Sequence, residues 1–264
     1  MNWVIKMFSS SIGQKFIMAL TGLFLCSFLI VHMIGNLQLF KSDGGLAFNT
    51  YAVFMTTNPL IKVVSYLLYF SIVFHAIKGI MLVMKNNKAR PVKYAVQDGA
   101  ANSHWTSRSM GLLGTIILIF IVIHMKNFWF EYKFGHEVGY TSYFTNISTG
   151  ETGNNAMSAD YKQANKMEEA MVSSPEGQQF KVVIVKDLYK SVAVEFKEWY
   201  LVALYVLAMF ALAFHLYHGF KSAFQSLGVN HSKYNGLIQF LGVWFFAIIV
   251  PASFAAMPLY FFFK

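Results

Sequence analysis

Five long apolar segments constrain the fold of this chain more than any other feature of its sequence. They cover about residues 14–36, 59–84, 109–128, 199–222 and 236–263. A helix rises about 1.5 Å per residue, so about 20 apolar residues are enough to cross the hydrocarbon core of a bilayer. Charged residues make up only 12% of the chain, against about 25% in a typical soluble domain. We predict an all-α membrane protein with five transmembrane helices, organised as one integral-membrane domain over residues 1–264.

Lysine and arginine predict the orientation of these helices. If the N-terminus is cytoplasmic, the segments on the inner side of the membrane carry nine cations and a single acid, Asp98. Their cations are Lys6, Lys15, Lys85, Lys88, Arg90, Lys93, Arg108, Lys221 and Lys233. The short outer connection 37–58 holds only Lys41 and Asp43, and a loop as long as 129–198 influences topology weakly. We therefore predict a cytoplasmic N-terminus and a C-terminus on the outer side.

The net charge of +9 is explained mostly by this topology. A basic inner face is also suited to docking an acidic partner. No nucleic-acid-binding motif accompanies the charge, so we expect no nucleic-acid partner.

Four of the apolar segments each contain one histidine, and these are His32, His75, His124 and His215. An ionisable side chain inside a bilayer is costly and by default functional. One such residue is readily explained by packing, but four at matched depths indicate two bis-histidine haem sites stacked across the membrane. Four of the five helices would then form a haem-binding bundle.

Helical rise gives the depth of the first pair. His32 lies 17 residues beyond Lys15, and His124 lies 16 residues beyond Arg108. Both helices run outward, so both histidines are placed roughly 24–26 Å from the inner boundary. This predicts that His32 and His124 are the ligands of an outer haem.

The second pair lies on helices that run inward. His75 lies 16 residues beyond Pro59, and His215 lies 16 residues beyond Trp199. Both are placed roughly 24 Å from the outer boundary, which is the inner half of the membrane. This predicts that His75 and His215 are the ligands of an inner haem, because any other pairing would tilt the ligand axis steeply.

Glycines recur at fixed distances from the four histidines. His75 and His215 are each followed four residues later by a glycine, and His32 and His124 are each preceded ten residues earlier by one. Ten residues correspond to roughly 15 Å, so Gly22 and Gly114 are expected near the level of the inner haem. A glycine there would let a flat macrocycle approach the backbone, although small residues also serve ordinary helix packing in membranes.

The remaining histidines and the cysteine limit the alternatives. His218 lies three residues after His215 and competes with it as a ligand, but His215 shares the His-x-x-x-Gly spacing with His75. His104, His136 and His231 fall in loops, where solvated or interfacial roles are expected. The single cysteine, Cys26, excludes a disulfide within the chain, and no Cys-x-x-Cys-His motif is present for covalent haem attachment. Cys26 is expected to be a small core residue, and any haem is expected to be b-type.

Several short motifs occur in an order that resembles a known family. They are Val31-His32-Met33-Ile34-Gly35-Asn36, Ala47-Phe48-Asn49 with Phe54-Met55, Phe74-His75-Ala76-Ile77-Lys78-Gly79, Gly114 through His124, and Phe214-His215 with Gly219. The chain resembles the single-chain, di-haem cytochrome b anchor of bacterial succinate dehydrogenase and fumarate reductase. The resemblance covers nearly all of the chain apart from the loop 129–198, and the family's four axial ligands fall on His32, His75, His124 and His215.

The resemblance implies a role in electron transport at the bacterial inner membrane. A flavoprotein subunit with FAD would interconvert succinate and fumarate, and an iron–sulfur subunit would relay electrons to this chain. Two b haems would then carry them to or from a membrane quinone, usually menaquinone. The dicarboxylate site would belong to a partner, because nothing in this sequence resembles a flavin fold or a cluster-binding cysteine set. The direction of catalysis, the haem potentials and a dimeric state of the complex are left open.

The resemblance leaves the quinone and propionate contacts unsettled. Candidates for quinone contact near the expected level of the outer haem are Asn36, Asn49 and Lys126. Asp43, Glu131 and Glu198 are the outer-side acids that could exchange protons with a quinol, and any or none of them could serve. Residues placed to meet haem propionates at the inner edge are Lys78, Arg108 and Lys221, for which snorkelling to the interface is the alternative.

The long loop 129–198 departs from the simplest members of the family. Its stretch 145–159 is rich in Asn, Gly, Thr and Ser and is typical of a flexible segment. Residues 159–172 are compatible with a surface helix. We expect either a solvated insertion or a lid over an outer quinone site.

Two other functions compete with this interpretation. A cytochrome b anchor of a hydrogenase or formate dehydrogenase also uses histidines in a helix bundle, but the motif order favours the succinate and fumarate family. A proton-coupled transporter with histidine relays would more often have acids inside its spans, and these five are essentially free of them.

Overall fold

A computed structural model describes residues 3–89, 98–135, 138–158, 160–161, 163 and 166–264. Arg90, Lys93 and His136, named above from the sequence, lie outside the described residues. Clustering of contacts divides the chain into two compact units. The first unit comprises residues 1–33, 64–121 and 203–258, and the second comprises residues 34–63, 122–202 and 259–264.

Five helices in the described ranges are long and apolar enough to cross a membrane. In chain order these first to fifth spans are Ser11–Phe40, Pro59–Lys88, Met110–Phe134, Trp199–Ser226 and Ser232–Phe263. They confirm the five predicted transmembrane helices. Large apolar side chains on their surfaces are exposed, for example Leu60 at 73% and Phe70 at 63%, as expected where lipid rather than water covers a helix.

Three of the spans change their helical type along their length. The first is α-helical over Ser11–Asn36 and ends in a 3₁₀ turn over Leu37–Phe40. The third is α-helical over Met110–His124, π-helical over Met125–Phe130 and α-helical again over Glu131–Phe134. The fifth has the same order over Ser232–Phe240, Leu241–Ile249 and Val250–Phe263. Shorter helices cover Trp3–Ser9, Leu46–Thr57, Gly99–Asn102, Trp105–Arg108 and Leu188–Glu195.

The core of the first unit is built mainly from the fourth and fifth spans. Its buried residues are Cys26, Met33, Ala208, Met209, Leu212, Leu216, Phe220, Ile238, Phe246 and Val250. The rings of Phe220 and Phe246 stack with their centres 4.5 Å apart. Cys26 is buried within this cluster, which confirms its predicted place in the core.

The second unit contains an antiparallel sheet made by the loop 129–198. Its strands are β1 (Tyr140–Asn146), β2 (Thr152–Ala156), β3 (Met167–Ser173) and β4 (Gln179–Lys186), in the order β2-β1-β4-β3. The expected helix over 159–172 is therefore wrong where the structure describes it. The stretch 145–159, expected to be flexible, contains the end of β1 and all of β2. The reason is pairing between strands: β2 pairs with β1, and β3 pairs with β4. Only β1 and β4 bury alternate residues, Thr141 and Tyr143 on the first and Val183 and Val185 on the second.

The sheet is completed by packing against the helix Leu46–Thr57. Val53 of this helix forms a small core with Tyr143 and Val185, and Leu46 and Met167 pack at its edge. One strand or one hairpin alone is marginally stable in water, so this helix supplies the apolar partner that the sheet needs.

Candidate haem-binding site

The structure brings together the two histidines predicted to share the inner haem. The ring centres of His75, on the second span, and His215, on the fourth span, lie 6.4 Å apart in the first unit. A histidine nitrogen binds a first-row metal at about 2.0–2.1 Å, so two imidazoles on opposite sides of one metal ion have their centres about 6 Å apart. The observed spacing fits a shared axial site.

Both rings lie against glycines of the neighbouring outward helices. A Cβ atom on Gly22 would lie 3.4 Å from His75 Cε1, and one on Gly114 would lie 3.7 Å from His215 Cε1. This confirms the predicted level of the two glycines beside the inner pair. Each histidine therefore sits over a bare stretch of backbone, where a larger side chain would occupy the space beside the ring.

Gly79 and Gly219, the glycines of the two His-x-x-x-Gly motifs, do not lie against the histidine rings. A Cβ atom on Gly79 would meet only Met18 Cε at 4.0 Å, and one on Gly219 would meet Met110 Cε at 3.7 Å. Both are ordinary van der Waals distances to the ends of flexible side chains. Gly22 and Gly114, not Gly79 and Gly219, are thus the glycines that contact the histidine rings.

The two imidazoles differ in their hydrogen bonds. His75 Nδ1 lies 2.9 Å from the hydroxyl oxygen of Thr21. His215 Nδ1 is buried and has no hydrogen-bond partner among the described residues. A buried polar atom without a partner costs about 1–3 kcal/mol, so the two rings differ in how well their Nδ1 atoms are satisfied. Sequence reasoning missed Thr21, whose only signal is its position next to Gly22.

No group of three or more His, Cys, Asp or Glu side chains in the described ranges is arranged to hold a metal ion. A pair of imidazoles supplies only two ligands. A metal held between His75 and His215 would therefore need an equatorial set from elsewhere, and a porphyrin supplies one. The residues present fit a haem in this respect.

His218, the competing ligand, faces a different environment. It lines a polar pocket of about 190 Å³ together with His104, Tyr217, Lys221, Ser222 and Gln239. His104 Nδ1 accepts a hydrogen bond from Thr106 N at 3.4 Å, so this loop histidine caps the short helix Trp105–Arg108. His231 likewise caps the start of the fifth span by accepting from Lys233 N at 3.2 Å. Both histidines are exposed, as expected for residues in loops.

The three residues predicted to meet haem propionates have different neighbours. Lys221 lines the polar pocket beside His218. Arg108 donates to the backbone carbonyls of Gly99 and Ser103, and the Lys78 ammonium lies 5.5 Å from the centre of the Phe74 ring. Of the three, Lys221 is the one that opens onto a polar cavity.

The two histidines predicted to hold the outer haem belong to different units. His32, in the first unit, lies 5.1 Å from Phe28 and 5.5 Å from Phe254, measured between ring centres. His124, in the second unit, lies 5.5 Å from Phe128. The π-helical segment of the third span begins directly after His124, at Met125. Such segments are rare in proteins overall, but many of those that occur lie at functional sites. The pairing of His32 with His124 stays a prediction.

Two of the residues proposed for quinone contact have structural partners. Asp43 accepts hydrogen bonds from Gly45 N and Ala47 N, both at 3.0 Å, and so starts the helix Leu46–Thr57. Asn49 is fully buried. Its amide donates to Tyr143 Oη and to Asp187 Oδ1, and its carbonyl oxygen accepts from Tyr189 N. Lys126 is exposed in the π-helical segment, and Asn36 and Glu131 are partly exposed.

Two lysines of the second unit share one aromatic ring. The ammonium groups of Lys166 and Lys186 lie 4.6 and 5.2 Å from the centre of the Tyr132 ring. Lys166 donates to Thr56 Oγ1 at 3.3 Å, and Lys186 donates to Tyr132 O at 2.7 Å. Burial, followed by the charges of Lys186, Lys133 and Lys62, lowers the pKa of Lys166 to about 8.

Comparison with protein-family models, curated proteins and solved structures gives no match to this chain.

Proposed function

We propose that this chain is a membrane cytochrome b in which His75 and His215 hold one b-type haem. The observation that carries the proposal is the 6.4 Å spacing of their ring centres across two predicted transmembrane helices. The bare backbone at Gly22 and Gly114 beside the two rings supports it. A haem bound in this way supplies a one-electron couple, Fe(III)/Fe(II).

The chain's own residues favour electron transfer over the binding and activation of oxygen or a substrate at the metal. With His75 and His215 both holding the haem, the group would supply electron transfer and no binding position for oxygen or substrate. The predicted membrane setting and the buried core around Leu212 and Leu216 lower the local dielectric, and the imidazoles would be neutral there. The protein would thus tune a potential and exclude water, which is the task of an electron relay.

A second haem, held by His32 and His124, completes the proposed relay. The depth argument from the sequence supports this pair, and the aromatic neighbours of each histidine provide apolar contact surface for a macrocycle. Two stacked haems would carry electrons to an acceptor that lies too far away for a single haem to reach. We therefore propose that electrons enter near the predicted cytoplasmic side and leave near the outer side.

The motif order supports one particular setting for this relay. We propose that the chain is the anchor of a succinate:quinone oxidoreductase in the bacterial inner membrane, where it passes electrons between an iron–sulfur partner and a quinone, usually menaquinone. A flavoprotein partner would carry the FAD and the dicarboxylate site. Lys221, in its polar pocket beside His218, is the best-placed partner for an inner propionate.

Quinone chemistry is proposed at the predicted outer end. The candidates Asn36, Asp43, Asn49, Lys126 and Glu131 are to be replaced one at a time, beginning with Lys126, whose side chain is exposed. If protons exchange on that side, turnover in sealed vesicles should change when an uncoupler removes the membrane potential, since one charge crossing 100 mV is worth about 2.3 kcal/mol. Turnover that ignores the potential, together with an inhibitor bound beside Lys221, would contradict an outer site.

The test of the proposed function is the composition of the complex purified from its native membrane. We expect two b-type haems per chain by pyridine haemochrome assay, with flavin and iron–sulfur subunits co-purifying and succinate-reducible haem. Absence of haem would refute the cytochrome assignment. Haem with a hydrogenase or formate dehydrogenase as partner would keep the cytochrome and reassign the complex.

A further inference from the structure

We infer that Thr21 fixes the tautomer of His75 and thereby lowers the potential of the haem that His75 holds. The inference rests on the proposed function. It concerns a positioning residue, because Thr21 contacts the ligand and not the metal.

Counting protons assigns the direction of the hydrogen bond between these residues. The Thr21 hydroxyl oxygen lies 2.9 Å from Ile17 O, 3.2 Å from Met18 O and 2.9 Å from His75 Nδ1. A backbone carbonyl cannot donate, so the single hydroxyl proton is needed for the contact with Ile17 O. The contact with His75 then needs a proton from Nδ1. His75 is therefore the Nδ1–H tautomer, and the hydroxyl oxygen accepts from it.

This tautomer leaves the other ring nitrogen, Nε2, with a free lone pair. A neutral imidazole carries one proton, so protonation at Nδ1 makes Nε2 the nitrogen that binds metal. Donation from Nδ1–H to an oxygen also raises the basicity of the ligand. A more basic axial ligand stabilises Fe(III) relative to Fe(II), which lowers the reduction potential.

The two proposed ligands of the haem are thus unequal. His75 has the Thr21 hydroxyl, whereas His215 Nδ1 lacks a hydrogen-bond partner within the described part of the chain. Of these two ligands, only His75 therefore gains basicity from a hydrogen bond at Nδ1 to a described residue, and Thr21 alone supplies that effect on the reduction potential. Removing the Thr21 hydroxyl should remove most of it.

The chain offers a matched control on the third span. Thr115 donates its hydroxyl to Gly111 O at 2.9 Å, as Thr21 does to Ile17 O, and it adjoins Gly114 as Thr21 adjoins Gly22. It is exposed. Thr115→Val therefore makes the same chemical change on a helix turn without altering His75.

The experiment is an optical redox titration of the purified complex carrying Thr21→Val, Thr21→Ser or Thr115→Val. We expect Thr21→Val to raise the midpoint potential of the haem that His75→Ala removes, and Thr21→Ser and Thr115→Val to keep the wild-type value. The ferric low-spin EPR signal of the same haem should shift only in Thr21→Val.

Other outcomes are equally decisive. Loss of the inner haem in Thr21→Val supports the inference if Thr21→Ser and Thr115→Val retain it. An unchanged potential in Thr21→Val, or a Thr21→Ser variant that shifts as Thr21→Val does, would overturn it while the haem content still upholds the proposed function. A wild-type complex without haem would instead refute the proposed function itself.

Discussion

Asn49 and Asp187, which lie 138 residues apart in the sequence, are joined by a buried hydrogen bond of 2.8 Å from the amide nitrogen to Oδ1. The same carboxylate accepts from Thr141 Oγ1 and from Lys190 N. One side chain of the helix Leu46–Thr57 therefore binds both β1 and the junction between β4 and the helix Leu188–Glu195. Burial, followed by the negative charge of Asp187, raises the pKa of the neighbouring Tyr143 hydroxyl.

Replacing Asn49 by Ala should loosen the sheet of the second unit. The variant removes hydrogen bonds to Tyr143, Asp187 and Tyr189 and leaves buried groups unpaired, which costs about 3 kcal/mol. Hydrogen exchange of the β1 and β4 amides should accelerate accordingly. Asn155→Ala, on exposed β2, is the control, and equal exchange in both variants would contradict the tether.

Replacing either member of the inner pair should remove the same haem. We expect His75→Ala and His215→Ala each to halve the haem content and to lose the same component in a redox titration, or to stop assembly. His218→Ala should keep both haems with low-spin spectra, because His218 lines the polar pocket. Loss of one haem in His218→Ala, with both retained in His215→Ala, would reverse the ligand choice.

The outer pair should behave as a second, separate set. His32→Ala and His124→Ala should lose the haem that His75→Ala retains. The measurement is again the number of components in the titration and their midpoint potentials. If His32→Ala and His75→Ala lost the same component, the pairing by depth would be wrong.

A large side chain at Gly22 should displace the inner haem. The Cβ atom alone would reach 3.4 Å from His75 Cε1, so Gly22→Leu must fill the space beside the ring. We expect haem content to fall to about half, by the same reasoning as for a lost ligand. Gly236→Leu, at an exposed helical position with no atom within 4 Å of its Cβ site, should keep both haems.

Lys166 should make the second unit more stable as the pH rises. Its pKa is about 8 in the fold and 10.5 in the unfolded chain, so the folded state releases the proton first. Stability linked to this group therefore increases between these two values and is flat below and above them. Lys166→Met should abolish the increase in a hydrogen-exchange series of β3 and β4, corrected for intrinsic rates. A decrease over that interval in the unaltered protein would contradict the assigned shift.

The sequence alone predicted the five long apolar helices and the common level of His75 and His215. Apolar length is read directly from the chain, and a helix has a fixed rise, so His75 and His215 could be levelled by counting from Pro59 and Trp199. The same counting placed Gly22 and Gly114 beside the inner pair. Apolar length and residue spacing can be read from the sequence, and the fixed rise of a helix converts both into distances.

Only the tertiary structure decided which groups touch those histidines and what the loop 129–198 becomes. The bond from His75 to Thr21 joins different helices, and a periodicity within one helix cannot reveal it. The strands of the loop pair residues such as Tyr143 and Val183 and depend on Val53 for a core. A sheet gains its stability from partners distant in sequence, so local composition indicated a flexible insertion and a helix where long-range pairing makes a sheet.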